Sequence, residues 1–309
     1  VPALVDSEID AAKRYQQAEK SEATQRAYRS DFAIFTAWCE ARGVESLPSS
    51  PGTVAAFLAS QADGGSSVST LTRRIAAIRY AHKLLGHEPP TNSESVRATM
   101  RGIRRKNGTA VSQKSALTAD LMHQLLQHVP EGTMRGRRDR ALLLLGFAGA
   151  FRRSELVALT VADLTETADG LRITIRRSKT DQEGAGQEIA VPNGRRLKPV
   201  EALRDWLTAA SITEGPVFRA IGKGGCVMPD PLTARIVADR VKFYARRASL
   251  DPALFAGHSL RSGYITSAAE SGAALLRIAD QSRHKSLDVL RGYVRRADLF
   301  KDHSGDGFL

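Results

Sequence analysis

Apolar residues recur three and four positions apart over most of this chain, and only a short central stretch alternates. That pattern restricts it to a mainly α fold carrying a small β-sheet. Ser21 caps a helix bearing Tyr28, Phe32, Phe35 and Trp38, which Gly43 ends. Residues 48–51 turn the chain, and Val54, Phe57 and Leu58 repeat the helical spacing. After a glycine-containing loop at 63–67, Ser69 opens a helix with Leu71, Ile75, Ile78 and Leu85 inward. Residues 86–92 break it, and Val96, Met100 and Ile103 start another. Further on, Leu121, Leu125 and Leu126 are helical, and 137–151 reads as a largely buried helix. Leu171, Ile173 and Ile175 then alternate with Arg172, Thr174 and Arg176, and Ile189 and Val191 alternate again. With a turn at 181–187 between them, these two runs form a hairpin.

The same pass divides the chain. Residues 1–19 are a polar lead-in, 20–107 an all-helical domain, 108–115 a linker with Gly108, and 116–309 a second, mostly helical domain. A length of 309 residues is enough for two cores. The surplus of 45 Lys and Arg over 33 Asp and Glu, a formal charge of +12, favours a polyanionic partner, of which nucleic acid is the commonest.

Composition also excludes. The longest apolar run, 141–151, is broken by Gly146 and Gly149 and is too short to span a bilayer. The start, Val1-Pro2-Ala3-Leu4, lacks the layout of a signal peptide, so a cytoplasmic protein is expected. Cys39 and Cys226 lie far apart without metal-ligand spacing, so neither a disulfide nor a zinc site is expected, and no cofactor.

One set of residues carries chemistry. Arg152 stands in Phe-Arg-Arg-Ser-Glu-Leu, Lys179 in Arg-Ser-Lys-Thr, His258 and Arg261 in His-Ser-Leu-Arg, with His284 and Tyr293 following nine apart. Attack on a phosphodiester needs a nucleophile, charge stabilisation, a proton acceptor and a proton donor. Arg152 and Arg261 can clamp the non-bridging oxygens with always-charged forks. His258, three residues before Arg261, shares its helical face and can take a proton or bond the phosphate. Lys179, with neighbouring arginines lowering its pKa, can protonate the departing 5′ oxygen. His284 adds a donor, and the Tyr293 phenol is the nucleophile. A tyrosyl ester conserves phosphodiester energy, so resealing needs neither ATP nor metal.

Taken singly, each has a plainer reading. Arg153 is as basic as Arg152, a lone histidine belongs more often to a core or surface, and Tyr244 and Tyr264 are also helical by context. Lys179 beside Arg176 and Arg177 fits a solvated strand end.

In order and spacing, however, the set resembles the tyrosine recombinase (phage integrase) family. The resemblance implies Arg152, Lys179, His258, Arg261, His284 and Tyr293 as catalytic residues and Glu155 as the acid supporting them. It further implies a SAM-like, core-binding helical domain and a catalytic domain that together clamp double-stranded DNA at inverted-repeat sites. DNA contacts are then expected from Arg73, Arg74, Arg79 and Lys83 on one basic helix and from Arg101, Arg104, Arg105 and Lys106 on the next. The helix at 232–249 would add Arg235, Arg240 and Lys242, with Arg235 resembling a base-reading arginine. The tail from Asp298 to Leu309, apolar residues on a polar segment, would dock on a neighbour within a homotetramer. The implied activity is site-specific recombination through a 3′-phosphotyrosyl intermediate and a Holliday junction. Alternatives are a type IB topoisomerase or telomere resolvase using the same chemistry, and a catalytically silent DNA-binding protein.

Overall fold

Capping serines set the helix starts of the N-terminal part. The computed structural model describes residues 19–108, 114–176, 186–284 and 286–297, together with Glu8, Ala11, Arg14 and Tyr15; of 294–297 only the backbone is described. Lys179, most of the lead-in, most of the linker and the tail from Asp298 lie outside the described residues. The chain separates into two compact units, 1–112 and 113–309.

The first unit is helical. Helix α1 (Glu22–Glu40) is capped by the Ser21 hydroxyl, α2 (Pro51–Asp63) by Ser50, α3 (Val68–Leu84) by Ser67 and α4 (Glu94–Asn107) by Ser93. Each hydroxyl accepts the N–H three residues on. Helix α3 is therefore capped by Ser67, two residues before the expected Ser69. It also stops at Leu84, so Leu85 leaves the helical spiral and is 61% exposed instead of packed inward. The core joins Phe35, Phe57, Leu58, Leu71, Ile78, Val96, Met100 and Ile103.

Around the buried helix α6 (Met134–Ala148) of the second unit pack α5 (Ala119–Leu126) and α8 (Pro199–Ala209). Helix α6 ends three residues before Phe151. A short α7 (Arg153–Ala158) follows. The expected hairpin is the β2–β3 pair of a three-stranded antiparallel sheet, β1 (Leu164–Thr167), β2 (Gly170–Ile175) and β3 (Gln187–Pro192). Ile173 stands opposite both Leu164 and Ile189, so Leu171, Ile173, Ile175, Ile189 and Val191 share the buried face. A second small sheet pairs β4 (Arg219–Ile221) with β5 (Val227–Pro231).

Helix α9 (Ala234–Arg247) buries Val237, Val241 and Tyr244 and leaves Arg235 and Lys242 exposed. The last described helices are α10 (Ser259–Glu270), α11 (Leu275–Ser282) and α12 (Leu287–Ala297), which pack through Ile265, Ile278 and Leu290. Gly263 on α10 allows a close approach: a Cβ there would sit 1.9 Å from the Leu117 carbonyl oxygen. Cys39 is buried and Cys226 exposed. Among the described residues no helix is long and apolar enough to cross a membrane.

Candidate active site

The last turn of α6 opens the site. Helix ends leave carbonyls without intrahelical partners, and here side chains from the far end of the chain fill that role. Gln281 donates to the Ala148 carbonyl at 2.9 Å, Arg283 to Gly149 at 2.9 Å, and Arg261 to Ala150 at 2.8 Å. The partial negative charge of a helix C-terminus suits these donors. Ala150 itself has φ +46°, a left-handed turn that aims its carbonyl at the two arginines and leads straight into Arg152.

Arg152 is the N-cap residue of α7. Glu155, one turn later, accepts the Arg152 backbone N–H at 2.9 Å and the Arg152 guanidinium at 2.7 Å. One carboxylate thus sets both backbone and side chain of Arg152. Glu155 is buried, which by itself would raise its pKa. The adjacent Arg283 and Arg152 outweigh burial and hold it below the usual carboxylate range.

Arg261 is 1% exposed, deep for a guanidinium. Burial and the neighbouring Arg152 and Arg283 push its pKa down to about 9, so it stays charged at neutral pH. Its second terminal nitrogen lies 3.3 and 3.4 Å from the two ring nitrogens of His284. The Ser282 hydroxyl lies 2.5 Å from the Ile278 carbonyl and 2.8 Å from His284 Nδ1. A hydroxyl has one proton, and the carbonyl can only accept it. Nδ1–H therefore donates to Ser282 and Nε2 carries the lone pair, while the Arg261 nitrogen, nearly equidistant from the two, lies against the ring and not along that lone pair. Burial first, then Arg261, Arg152, His258 and Arg283, lower the His284 pKa to about 4, so the ring is neutral at pH 7.

His258 caps α10 and is exposed, close enough to His284 to act on its charge. Tyr293, half-buried on α12, packs against the Ile265–Ile278–Leu290 cluster and acts electrostatically on Arg261. The structure thus brings together Arg152, Glu155, Arg261 and His284, with His258 and Tyr293 at their margin. Lys179 lies outside the described residues. Arg283 is the member that sequence reasoning missed. Among the described residues, no three His, Cys, Asp or Glu side chains converge as metal ligands would. A polar cleft elsewhere in the second unit is a weaker candidate, because Arg137 and Arg140 there already pair with Asp205 and Glu131.

A model described as the phage integrase family matches residues 115–299, and one described as its N-terminal SAM-like domain matches 13–88. The chain belongs to the phage integrase family. As such it is a tyrosine site-specific recombinase. An integrase/recombinase xerD homolog from Selenomonas ruminantium is 40% identical over 298 residues, 95% of this chain and 87% of that one. The cre recombinase of Escherichia phage P1 is 25% identical over 283 residues, 85% of this chain and 81% of its own. A lambda integrase dimer bound to a COC′ core site superposes with a TM-score of 0.64 at 18% identity, covering 94% of this chain and 95% of that one, which shows the shared fold.

The arginines and lysines expected at DNA fall into two groups in the recombinase. Arg79, Lys83, Arg101, Arg104, Arg105, Lys106, Arg235 and Lys242 are exposed. Arg79 also donates to the Thr91 hydroxyl at 3.1 Å, and Arg101 pairs with Glu94. Arg73, half-exposed, pairs bidentately with the buried Asp31 at 2.6 and 3.1 Å. The second group faces inward. The Arg74 side chain is 11% exposed and donates to Gln61 and Ser66. Arg240 is partly buried over the Phe243 ring. Both side chains make contacts within the protein, which their place in basic runs does not announce.

Proposed function

We propose that this recombinase cuts and rejoins double-stranded DNA at inverted-repeat sites through a covalent bond between Tyr293 and a 3′ phosphate. The Tyr293 oxygen attacks phosphorus, the bond to the 5′ oxygen breaks, and the 5′ hydroxyl of a second strand later reverses the step. His258 takes the phenolic proton and Lys179 supplies one to the leaving oxygen. Arg152 and Arg261 neutralise charge on the non-bridging oxygens of the pentacovalent transition state. His284 donates to the same phosphate. In its present tautomer Nε2 carries a lone pair, so this contact requires a proton that an arriving anion makes easier to bind. Four copies exchange strands through a Holliday junction, each holding its neighbour through the tail beyond Asp298. The exposed arginines and lysines of α3 and α4 position the DNA backbone, and Arg235 reads a base.

The observation that carries this reading is the meeting of Arg152, Arg261 and His284 beside the turn at the end of α6, with Tyr293 at their margin. A silent DNA-binding protein has no use for such a cluster. The test is a denaturing gel of the protein with DNA from its native locus, in EDTA. Wild type should form a covalent adduct and Tyr293→Phe none. An adduct that survives loss of the phenol would name another nucleophile. Relaxation of plasmid lacking the target site would point to a topoisomerase. Truncation before Asp298 should leave half-site binding intact and abolish the synapse; a synapse that persists removes tail docking from the scheme.

A further inference from the structure

A third buried guanidinium stands beside the two that the proposed chemistry uses. Arg283 is the residue between α11 and His284, and its backbone is left-handed, φ +55° and ψ +47°. Few non-glycine residues adopt that conformation. Here it turns the side chain inward, to 5% exposure. The guanidinium donates to the carbonyls of Gly149, Ala150 and Gln281 at 2.9, 3.0 and 2.7 Å, and to Glu155 at 2.9 Å. Its face lies 5.2 Å from the Phe151 ring.

We propose that Arg283 is a positioning residue for strand cleavage, serving as the counter-ion of Glu155 so that Arg152 keeps its charge for the scissile phosphate. This inference rests on the reading of Arg152 and Arg261 as the phosphate clamp. The charges decide it. Arg152, Arg261 and Arg283 bring three positive charges to one carboxylate. Arg152 bonds Oε1 of Glu155, but Arg283 on Oε2 gives the carboxylate a cation from outside the clamp, so three positive charges less one leave two for the phosphate. Remove Arg283, and the carboxylate has Arg152 as its remaining hydrogen-bonded cation, which halves the charge left for the transition state. The same side chain joins the α6 terminus to the residue next to His284, so the clamp and the imidazole are held in one register.

A purely structural arginine at a helix end would also lose stability on substitution, so pH dependence separates the readings. The charged groups facing Glu155 are Arg152 on its own helix, Arg283 after α11 and Arg261 on α10. Without Arg283, burial is less opposed and Glu155 binds a proton at higher pH. A neutral Glu155 no longer orients Arg152, so the acidic limb of the cleavage profile moves upward. Arg283→Lys restores the charge beside Glu155 but cannot serve the three carbonyls and the carboxylate together.

The experiment is single-turnover cleavage of a nicked substrate carrying the native site, by the full chain, from about pH 3.5 to 9, with half-site binding and thermal melting alongside. Arg283→Met should cleave on the order of 10²-fold more slowly, as misplacing a charge-stabilising donor does. Half-site affinity should hold within about threefold, and the acidic limb should rise by about one pH unit. Arg283→Lys should return the limb to its wild-type place with an intermediate rate. Cleavage lost only in proportion to the unfolded fraction, with the limb unmoved, would overturn the inference. So would a wild-type rate in Arg283→Met. Absence of a Tyr293-dependent adduct in the wild type would instead overturn the proposed function itself.

Discussion

Arg261 and Arg283 donate to the same oxygen, the Ala150 carbonyl, at 2.8 and 3.0 Å, although they stand on opposite sides of α11 in the chain. Two cations on one acceptor repel each other. The pairing persists because Glu155 and the helix-terminal carbonyls supply the compensating charge. Arg261→Lys keeps one charge but has a single nitrogen to offer where the guanidinium bridges Ala150 and His284. We expect cleavage to fall by about 10² to 10³, the usual cost of one lost transition-state donor. Stability should fall by about 1–3 kcal/mol, the cost of a buried group left unsatisfied. Single-turnover cleavage and urea melts measure the two separately, and a Lys variant that cleaves like wild type would remove Arg261 from the clamp.

Much of this arrangement was legible beforehand, and the gaps have physical causes. Helix α1 follows from Ser21 and an apolar stripe, and α4 from the spacing of Val96, Met100 and Ile103, because capping and periodicity act locally. Strand β1 was missed because Leu164-Thr165-Glu166-Thr167 holds a single apolar residue and is fixed by backbone pairing to β2. Strand β5 contains Pro229 and Pro231, which argue against a strand from sequence alone, yet it pairs with β4 at a sheet edge. Arg152 and Arg261 could be found from motif and order. Arg283 could not: its αL backbone carries no local signal, and its carboxylate partner lies 128 residues away.

Basic residues in the first unit should divide by burial. Arg74 is tied to Gln61, Ser66 and, more distantly, the buried Asp31. Arg104 is exposed. Arg104→Ala should leave the melting midpoint within about 0.5 kcal/mol and reduce the salt dependence of DNA binding by about one phosphate contact. Asp31→Ala should instead cost about 3–5 kcal/mol in urea unfolding, because Arg74 would be left buried without its carboxylate. Equal stability losses in the two variants would refute the division.

Gly263 supplies a test of the α10 seat. A methyl group there meets the Leu117 carbonyl at 1.9 Å, backbone that cannot swing aside as a side chain can. Gly263→Ala should destabilise by about 1–3 kcal/mol through forced displacement of α10. Arg261 lies two residues earlier on the same helix, so cleavage by the folded fraction should fall as well. Thermal melting with active-site titration separates the two effects; a variant that melts and cleaves like wild type would mean that the two segments are not in this contact.

His284 links stability to pH, and the sign follows from its environment. Its pKa falls from 6.5 to about 4 in the folded protein, through burial and then the cations Arg261, Arg152, His258 and Arg283. Between those values the unfolded chain binds the extra proton, so stability rises with pH across the window and is lost as pH falls from about 6.5 toward 4. The ring is only partly buried, so screening reduces the effect to the order of 1 kcal/mol. His284→Gln removes the titration while keeping a polar group beside Ser282. The variant should lose less melting temperature than wild type between pH 7 and pH 4.5. Glu155 and Asp163, whose pKa values are lowered, affect both proteins alike and cancel in the difference. Parallel losses in the two proteins would show that the imidazole is not held neutral by its cationic neighbours.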